Sequence, residues 1–455
     1  MNTLHIVILA AGKGTRMYSR LPKVLHEIGG EPMLARVIDT ARSLNPAGIH
    51  VVIGHGREQV RETVVRDVNW VEQTEQLGTG HALKTALPHL PADGRTLVLY
   101  GDVPLTDTAT LHTLLDAAGS QVGLLTDVLE NPTGYGRIIR NVQDKVVAIV
   151  EEKDADAAQK AVREINTGIL VLPNARLADW LGRLSADNAQ GEYYLTDLIG
   201  LAHTDGITVT PVPVRASHLA AGVNNKAQLA ELERIFQAGQ AQALLQAGVT
   251  LRDPARFDLR GRLKHGQDVV IDVNVIIEGD VELGDGVQIG AHCVIKNAKI
   301  GAGSRIAPFS SLENCEIGAD NHIGPYARLR PGTRLADGVH IGNFVEVKNS
   351  HIGQGSKANH LTYLGDADIG CRTNIGAGTI TANYDGVHKY RTSIGDEVRI
   401  GSNNVLIAPV EIGNRATTGA GSAISKNCPE GKLSIARARQ SVIEGWIRPE
   451  KPAEK

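Results

Sequence analysis

Two stretches of this 455-residue chain combine residue types that could do chemistry. In the first, Leu9-Ala10-Ala11-Gly12-Lys13-Gly14-Thr15-Arg16-Met17 is followed by Pro22-Lys23. Glycines at 12 and 14 let successive backbone N–H groups converge on an anion, and Arg16 and Lys23 supply positive charge. The run lacks the GK[ST] ending of a Walker A loop and the third glycine of the dinucleotide fingerprint. Further on, Tyr100-Gly101-Asp102-Val103-Pro104 closes an apolar run with a carboxylate, a natural Mg²⁺ ligand beside a triphosphate. In the second stretch, Lys357-Ala358-Asn359-His360-Leu361-Thr362-Tyr363-Leu364-Gly365-Asp366 carries a histidine able to take a proton near neutral pH. Asn383-Tyr384-Asp385-Gly386 and Lys389 follow, and Arg330 and Lys348 precede it as cations suited to a phosphate.

The elements that must position the first group alternate in type. His5–Ala10 is a β-rich run leading into the glycine turn, a helix is predicted around Pro32–Leu44, and Ile49–Ile53 and Thr96–Tyr100 are further short apolar runs. Such alternation argues for a parallel sheet with helices on both faces, in which ligands sit beyond the carboxyl ends of the strands. Lys226–Ala247, with Leu229, Leu232, Ile235, Phe236 and Leu244 at helical spacing, reads as a connecting helix. The expected divisions are 1–225, a helical linker 226–248, a repeat domain 249–430 and a tail 431–455. Arg448–Lys455 is expected to be disordered.

The second group sits in a different kind of chain. From Ile271 an aliphatic residue recurs every sixth position through Ile277, Leu283, Ile289 and Ile295. Five-residue steps lead to Ile300 and Ile317, and the sixes resume through Ile306, Leu312, Ile323, Leu329, Leu335, Ile341 and Val347. The sequence continues through Ile352, Ala358, Leu364, Ile369 and Ile375, then Ile394, Ile400, Leu406, Ile412 and Ile424. A period of six fits neither a helix nor a two-faced strand and marks a hexapeptide solenoid, three short strands per triangular coil. About ten coils at ~4.8 Å each give a prism roughly 45–50 Å long. The 19-residue gap between Ile375 and Ile394 implies an excursion from the coil.

A net charge of −3 without basic blocks points to neither nucleic acid nor an anionic membrane, and Ile6–Ala11 is too short for a membrane span. Four scattered cysteines (Cys293, Cys315, Cys371, Cys428) with no CxxC read as buried free thiols of a soluble, cytoplasmic protein. Fifty glycines and 4% aromatics suit a chain of which nearly half is tight solenoid turns.

GxGTRM with a downstream PK resembles the signature of sugar nucleotidylyltransferases, which join a nucleoside triphosphate to a sugar-1-phosphate and release pyrophosphate. Taken over both halves, from about Ile6 to Trp446, the chain is similar to the bacterial bifunctional N-acetylglucosamine-1-phosphate uridyltransferase/glucosamine-1-phosphate N-acetyltransferase family. The motifs that carry this are LAAGKGTRM, EQLGTGHA, YGDVPL, NTGI, QGEYYLTD, HLTYLGD, NIGAGTITANYDG and the repeats. The resemblance implies an α/β nucleotidylyltransferase domain with a Rossmann-like mixed sheet, followed by a left-handed parallel β-helix. It implies UTP and UDP-N-acetylglucosamine contacts from Leu9, Ala10, Gly12, Gly14, Thr15, Lys23, Gln73, Gly78, Thr79, Tyr100, Asp102, Gly136, Glu151, Asn166, Thr167 and Asn224. Asp102 and Asn224 would hold Mg²⁺, while Arg16 and Lys23 balance charge as the sugar phosphate attacks in line.

In the solenoid, His360 would be the general base. Arg330, Lys348, Tyr363, Asn374 and Lys389 would hold glucosamine-1-phosphate; Ala377, Asn383, Tyr384, Ser402, Ala420 and Arg437 would contact acetyl-CoA. Asn359 stands where the resemblance leads one to expect glycine. A homotrimer with active sites built from neighbouring chains is also implied, as is supply of peptidoglycan and lipopolysaccharide precursors. Two rival readings are a single-activity enzyme with a regulatory solenoid and a non-enzymatic scaffold. HLTYLGD with NYDG argues against the first, and the intact set Gly12, Gly14, Arg16, Lys23, Asp102 and Asn224 against the second.

Overall fold

The computed structural model describes residues 3–451. The chain forms two compact units, Met1–Gly239 and Gln240–Lys455. The division falls within one continuous helix, Lys226–Gln246.

The first unit is built on the strand Leu4–Ala10, whose Ile6, Val7 and Ile8 are fully buried. Because side chains alternate across a strand, Ile6 and Ile8 enter one apolar cluster with the helices Met33–Ser43 and Thr108–Ala118. Val7 and Leu9 enter another with the helices Thr79–Ala86, Asn174–Arg183 and Asp197–Thr204. A sheet covered on both faces results. Leu4–Ala10 pairs in parallel with Gly48–Ile53 and Arg95–Tyr100, in agreement with the alternation of apolar runs. Glu164–Pro173, however, runs antiparallel to both Arg95–Tyr100 and Val122–Val128. The sheet is therefore mixed rather than purely parallel. The hairpin Arg137–Arg140/Val146–Val150 hangs from that antiparallel strand.

The connector helix begins on this unit. Leu232 joins Met17, Ile28, Met33 and Val223 in a small apolar cluster, and Phe236 packs against it. The Arg36 guanidinium lies 4.0 Å from the Phe236 ring centroid, and Gly29 N–H donates to Glu233 Oε2 at 2.7 Å. Gly29 is required here: its φ is +57°, and a Cβ would lie 2.2 Å from Phe236.

At the opposite end of the sheet from the glycine loop, His5, His50 and His89 stack, with centroids 5.5 and 5.9 Å apart. His5 Nδ1 and His50 Nε2 are 3.1 Å apart, and His50 is 3% exposed. Burial, then the neighbouring His5 and His89, push the His50 imidazole down to about 4. The folded chain thus resists a proton that the unfolded chain accepts below about 6.5. Stability should be unaffected above that pH, fall as pH drops from 6.5 towards 4, and level off below. At pH 5 the loss from this residue is about 2 kcal/mol. Urea unfolding at pH 7 and pH 5, followed by the fluorescence of Trp70 and Trp180, should show that loss in the wild type and not in His50→Asn. An equal loss in the variant would assign the slope to other groups.

The second unit is a left-handed parallel β-helix. One face is an 11-stranded sheet from Thr250–Leu251 to Leu433–Ser434, so the repeat extends past Glu430. Paired strands put Ile271, Ile289, Ile306, Ile323, Ile341, Ala358, Ile375 and Ile400 in one stack. From Ile271 to Ile375 the coils are thus 17 or 18 residues long, and the one from Ile375 to Ile400 has 25. Each aliphatic residue of the sixfold repeat is at most 5% exposed. The five-residue steps have a local cause. Asn297 and Asn314 adopt left-handed backbone (φ +46° each), which turns the corner inside the continuous strands Val294–Ile300 and Ser311–Ile317.

Three of the four free cysteines are buried as expected, but Cys371 is partly exposed. Burial pushes Cys293 up to about 11 and Cys315 up to about 12. Residues 448–451 carry no regular structure, and the rest of the expected disordered tail lies outside the described residues. No helix among the described residues is long and apolar enough to cross a membrane.

Candidate functional site

In the first unit, a cavity of about 530 Å³ opens at the carboxyl ends of Leu4–Ala10 and Arg95–Tyr100. Leu9, Ala10, Gly12, Gly14, Thr15, Lys23, Gln73, Gly78, Thr79, Tyr100 and Asp102 all line it. Gly14 has φ +61°, and a Cβ there would lie 2.6 Å from Lys23 Cβ; at Gly12 a Cβ would meet nothing within 4 Å. The fold therefore demands glycine at 14 but not at 12. Gly14→Ala should cost about 1–3 kcal/mol in thermal unfolding, whereas Gly12→Ala should fold normally and lose nucleotide affinity, read by UTP titration. Equal stability of the two variants would contradict this.

The charged groups meet beneath the loop. Lys23 Nζ forms an ion pair with Asp102 and lies 3.4 Å from Asn224 Oδ1; Arg16 donates to the same Oδ1 at 2.9 Å. Val223 N–H donates to the Asp102 carbonyl at 2.9 Å, which ties the Asn224 loop to the end of the strand. Oxygens of Asp102 and Asn224 thus converge on one cation, the Lys23 ammonium. Two hard oxygen donors next to an open cavity fit Mg²⁺, which takes one or two protein oxygens and completes its shell with water and phosphate. Among the described residues no cluster of three His, Cys, Asp or Glu suits a metal, so the donor set is not a closed protein cage.

The segments expected to read the base and the sugar flank this centre. Gln73 is buried and uses Nε2 towards Gly78 O (3.2 Å) and His81 Nδ1 (2.9 Å). Gly78 has φ +110°, and a Cβ would lie 2.6 Å from Tyr193 O, so only glycine allows the two backbones to pair there. Gly136, Glu151, Asn166 and Thr167 come together where the hairpin meets the antiparallel strand. Asn166 N–H donates to Gly136 O at 2.9 Å, and a Cβ on Gly136 would sit 3.5 Å from the Glu151 carboxyl. Glu151 accepts from Thr196 Oγ1 at 2.9 Å, and its burial raises its carboxyl above the usual range. Tyr100, raised by burial and by the charges of Glu151 and Asp102, packs its ring over Gly168. Glu192, which lines the cavity, and the buried Arg137, paired with Glu152 at 2.6 Å and holding Tyr135 O, were not foreseen from sequence. Both act over distances that no local motif records.

In the solenoid, one corner gathers residues from successive coils. His360 pairs in register with Asn343, and Gly378 N–H donates to His360 O at 3.2 Å. One coil on, Asn403 N–H donates to Ala377 O at 2.7 Å, and Gly421 N–H donates to Ser402 O at 2.8 Å. Arg437 reaches back to Ala420 O at 2.7 Å. The next residue along this corner is always left-handed, and its size changes at the histidine. Phe309, Tyr326 and Phe344 protrude in the coils before it and Leu361 directly after it, the aromatic rings stacked 4.9 and 5.2 Å apart; Gly378, Asn403 and Gly421 follow in the later coils. A bulky ridge thus gives way to a trough at His360. His360 Nδ1 lies 3.0 Å from Asn343 Oδ1, so Nδ1 carries the proton and Nε2 is left as the basic nitrogen. Asn359 lies in the strand Lys357–His360 with ordinary extended backbone, so the position does not require glycine.

An adjacent column of outward side chains explains the cations. Arg260, Glu278, Lys296 and Glu313 alternate in sign from coil to coil. The next two positions, Arg330 and Lys348, are both positive. Lys389 stands beside Lys348 and, with partial burial, lowers its ammonium; Asp366 opposes that shift. Glu346 neutralises Arg330 at 2.8 Å. The Tyr363 hydroxyl folds over Gly365, where a Cβ would lie 2.3 Å from it. Asn374 is not brought to this group: it belongs to a different sheet, between Lys357 and Arg399.

The family model of MobA-like NTP transferase domains matches residues 6–246. Those of the GMPPB C-terminal domain and of the bacterial transferase hexapeptide match 260–352 and 391–426. A protein of Neisseria meningitidis serogroup B named bifunctional protein GlmU is 76% identical over 450 residues, covering 99% of each chain. Proteins of the same name from Chromobacterium violaceum and Pseudomonas putida are 64% and 58% identical, again over 99% of each chain. A solved nucleotidyl transferase from Methanothermobacter is far more distant, with 17% identity and a TM-score of 0.38 over 52% of this chain and 98% of its own.

Proposed function

The chain belongs to the family of bifunctional GlmU proteins, which couple acetyl transfer to uridylyl transfer, and from that premise we propose which of its residues carry each step. The observation that carries the assignment is the change of character at His360, a base at the head of a trough, together with two successive cations, Arg330 and Lys348, in a column that otherwise alternates in sign.

Acetylation of glucosamine-1-phosphate comes first. Arg330, Lys348 and Lys389 take the phosphate, and Tyr363 borders the sugar. The acetyl-CoA arm lies along Ala377, Ser402 and Ala420, with Asn383, Tyr384 and Arg437 around it. His360 Nε2 takes a proton from the sugar amine as the nitrogen attacks the thioester carbonyl; the carbon–sulfur bond breaks and CoA leaves. Asn374 stands on another sheet from the phosphate group, which supports its service to a neighbouring chain and hence a homotrimer.

Uridylyl transfer follows in the first unit. The phosphate oxygen of N-acetylglucosamine-1-phosphate attacks the α-phosphorus of UTP and pyrophosphate leaves. The attacking group is already an anion, so the residues contribute position and charge rather than a base. Backbone N–H groups of the glycine loop with Arg16 and Lys23 face the phosphates. Mg²⁺, when bound, neutralises the triphosphate, and Asp102 and Asn224 would hold it. Gln73 has committed its Nε2, which leaves Oε1 to accept from uracil N3–H. Gly136, Glu151, Asn166 and Thr167 take the sugar. The functional divisions we assign are 1–225, 226–248, 249–430 and 431–455. The free thiols fit the reducing cytoplasm in which we place the enzyme.

One preparation should release CoA from acetyl-CoA with glucosamine-1-phosphate, and pyrophosphate from UTP with N-acetylglucosamine-1-phosphate and Mg²⁺. Pyrophosphate without CoA would reduce the solenoid to a scaffold.

A further inference from the structure

The corner where the five-residue steps occur carries a ladder of amides. Asn297 Nδ2 donates to Asn314 Oδ1 at 3.2 Å, and farther along Asn349 Nδ2 donates to the next coil at 2.5 Å. In both cases the donor lies in the earlier coil. Asp366 is the member that receives Asn349, and it is 5% exposed. From the following coil, Asn383 Nδ2 donates back to its other carboxylate oxygen. The direction of donation therefore reverses at Asp366. A carboxylate receives both neighbours with their amides as they stand; an amide at this position would keep both bonds only if Asn383 turned its own amide over.

Asn383 is also where the 25-residue coil leaves the solenoid. Residues 384–391 are all exposed, whereas Asn383 and Thr392 at the two ends are buried. Asp366 binds both ends: its carboxylate holds the Asn383 side chain, and its carbonyl accepts from Thr392 N–H at 3.1 Å. Its own N–H donates to Lys348 O at 3.0 Å. The exposed segment closes on itself through Tyr390 N–H to Asn383 O at 2.9 Å and an antiparallel bridge between Tyr384 and Lys389. Arg391, at its exit, pairs with Asp368 at 2.7 Å.

We propose that Asp366 is a positioning residue of the acetyl-transfer site: by reversing the corner ladder it fastens both ends of the 384–391 hairpin, and so sets Tyr384 against acetyl-CoA and Lys389 against the sugar phosphate. The proposal rests on the assignment of those two residues given above. Asp366 itself touches neither substrate. Asp366→Ala removes both acceptors, so no turn of the Asn383 amide can restore the bond. Asp366→Asn/Asn383→Asp restores it with donor and acceptor exchanged, and keeps the bond from Asn349.

Trypsin cleavage after Lys389, mapped by mass spectrometry on the full-length protein, reads the hairpin without any substrate. Asp366→Ala should be cut there about tenfold faster than wild type, with KM rising for both glucosamine-1-phosphate and acetyl-CoA. Pyrophosphate release should be unchanged, which reports an intact first unit. The double variant should return cleavage towards the wild-type rate. Wild-type cleavage in Asp366→Ala, or no recovery in the double variant relative to it, overturns the proposal. Faster cleavage with both KM values unchanged overturns it too, because the hairpin would then have loosened without consequence for either substrate. A wild type that releases no CoA would refute the site assignment instead, and the cleavage comparison would still decide whether Asp366 fastens the hairpin.

Discussion

Replacing His360 by alanine is expected to slow CoA release by about 10²–10⁴-fold in kcat, with pyrophosphate release unchanged. The magnitude is that of losing a positioned general base. The KM for glucosamine-1-phosphate should move little, because the phosphate is assigned to Arg330 and Lys348, whose column is separate from the corner that carries His360. The Asn343 contact adds a finer expectation. It holds the proton on Nδ1 and leaves Nε2 basic, so Asn343→Ala should lower kcat as well, by less, because a free ring samples both tautomers. If His360→Ala retained full acetyl transfer, the base would have to be sought elsewhere along the trough.

The second large effect belongs to the other unit. Asp102→Asn should lower pyrophosphate release by about 10²–10³-fold and raise the Mg²⁺ concentration needed for half-maximal rate, with CoA release unaffected. The substitution keeps the shape and removes the charge that pairs with Lys23 and that is assigned to the metal. The Lys23 and Asp102 side chains are only 14% and 16% exposed, so the loss of one partner also leaves an ammonium poorly compensated. An unchanged Mg²⁺ requirement would show that Asp102 serves Lys23 alone and not the metal.

What the sequence made legible was what repeats or sits close together. The sixfold aliphatic residues are all in the core, because a solenoid gives every coil the same interior, and a short window of sequence already contains the rule. The pattern missed two of its own members. Thr381 and Thr418 occupy interior positions and are at most 2% exposed, but a hydroxyl does not look like core. Thr381 is admitted because its Oγ1 donates to Gly365 O at 3.0 Å. In the first unit the glycine loop and Asp102 were readable because each follows directly on a strand. The antiparallel strand was not, since direction within a sheet leaves little trace in residue types. Arg137 was hidden for a related reason: a buried arginine is recognisable only through its partner Glu152, just past the far strand of a hairpin. Asn374 is the instructive separation. Its motif places it with the sugar-phosphate residues, whereas the chain's own geometry sets it on another sheet.

One coil of the solenoid is 25 residues long where its neighbours have 17 or 18, yet Ile375 and Ile400 stack as if nothing had intervened. The interior is blind to the length of whatever leaves at a corner, provided that exit and re-entry remain one rung apart. Such a fold separates inheritance of the scaffold from invention at its surface. A corner can lengthen, shorten or be exchanged whole while every rung above and below keeps its register, and the cost of trying a new loop is confined to the two residues that anchor it.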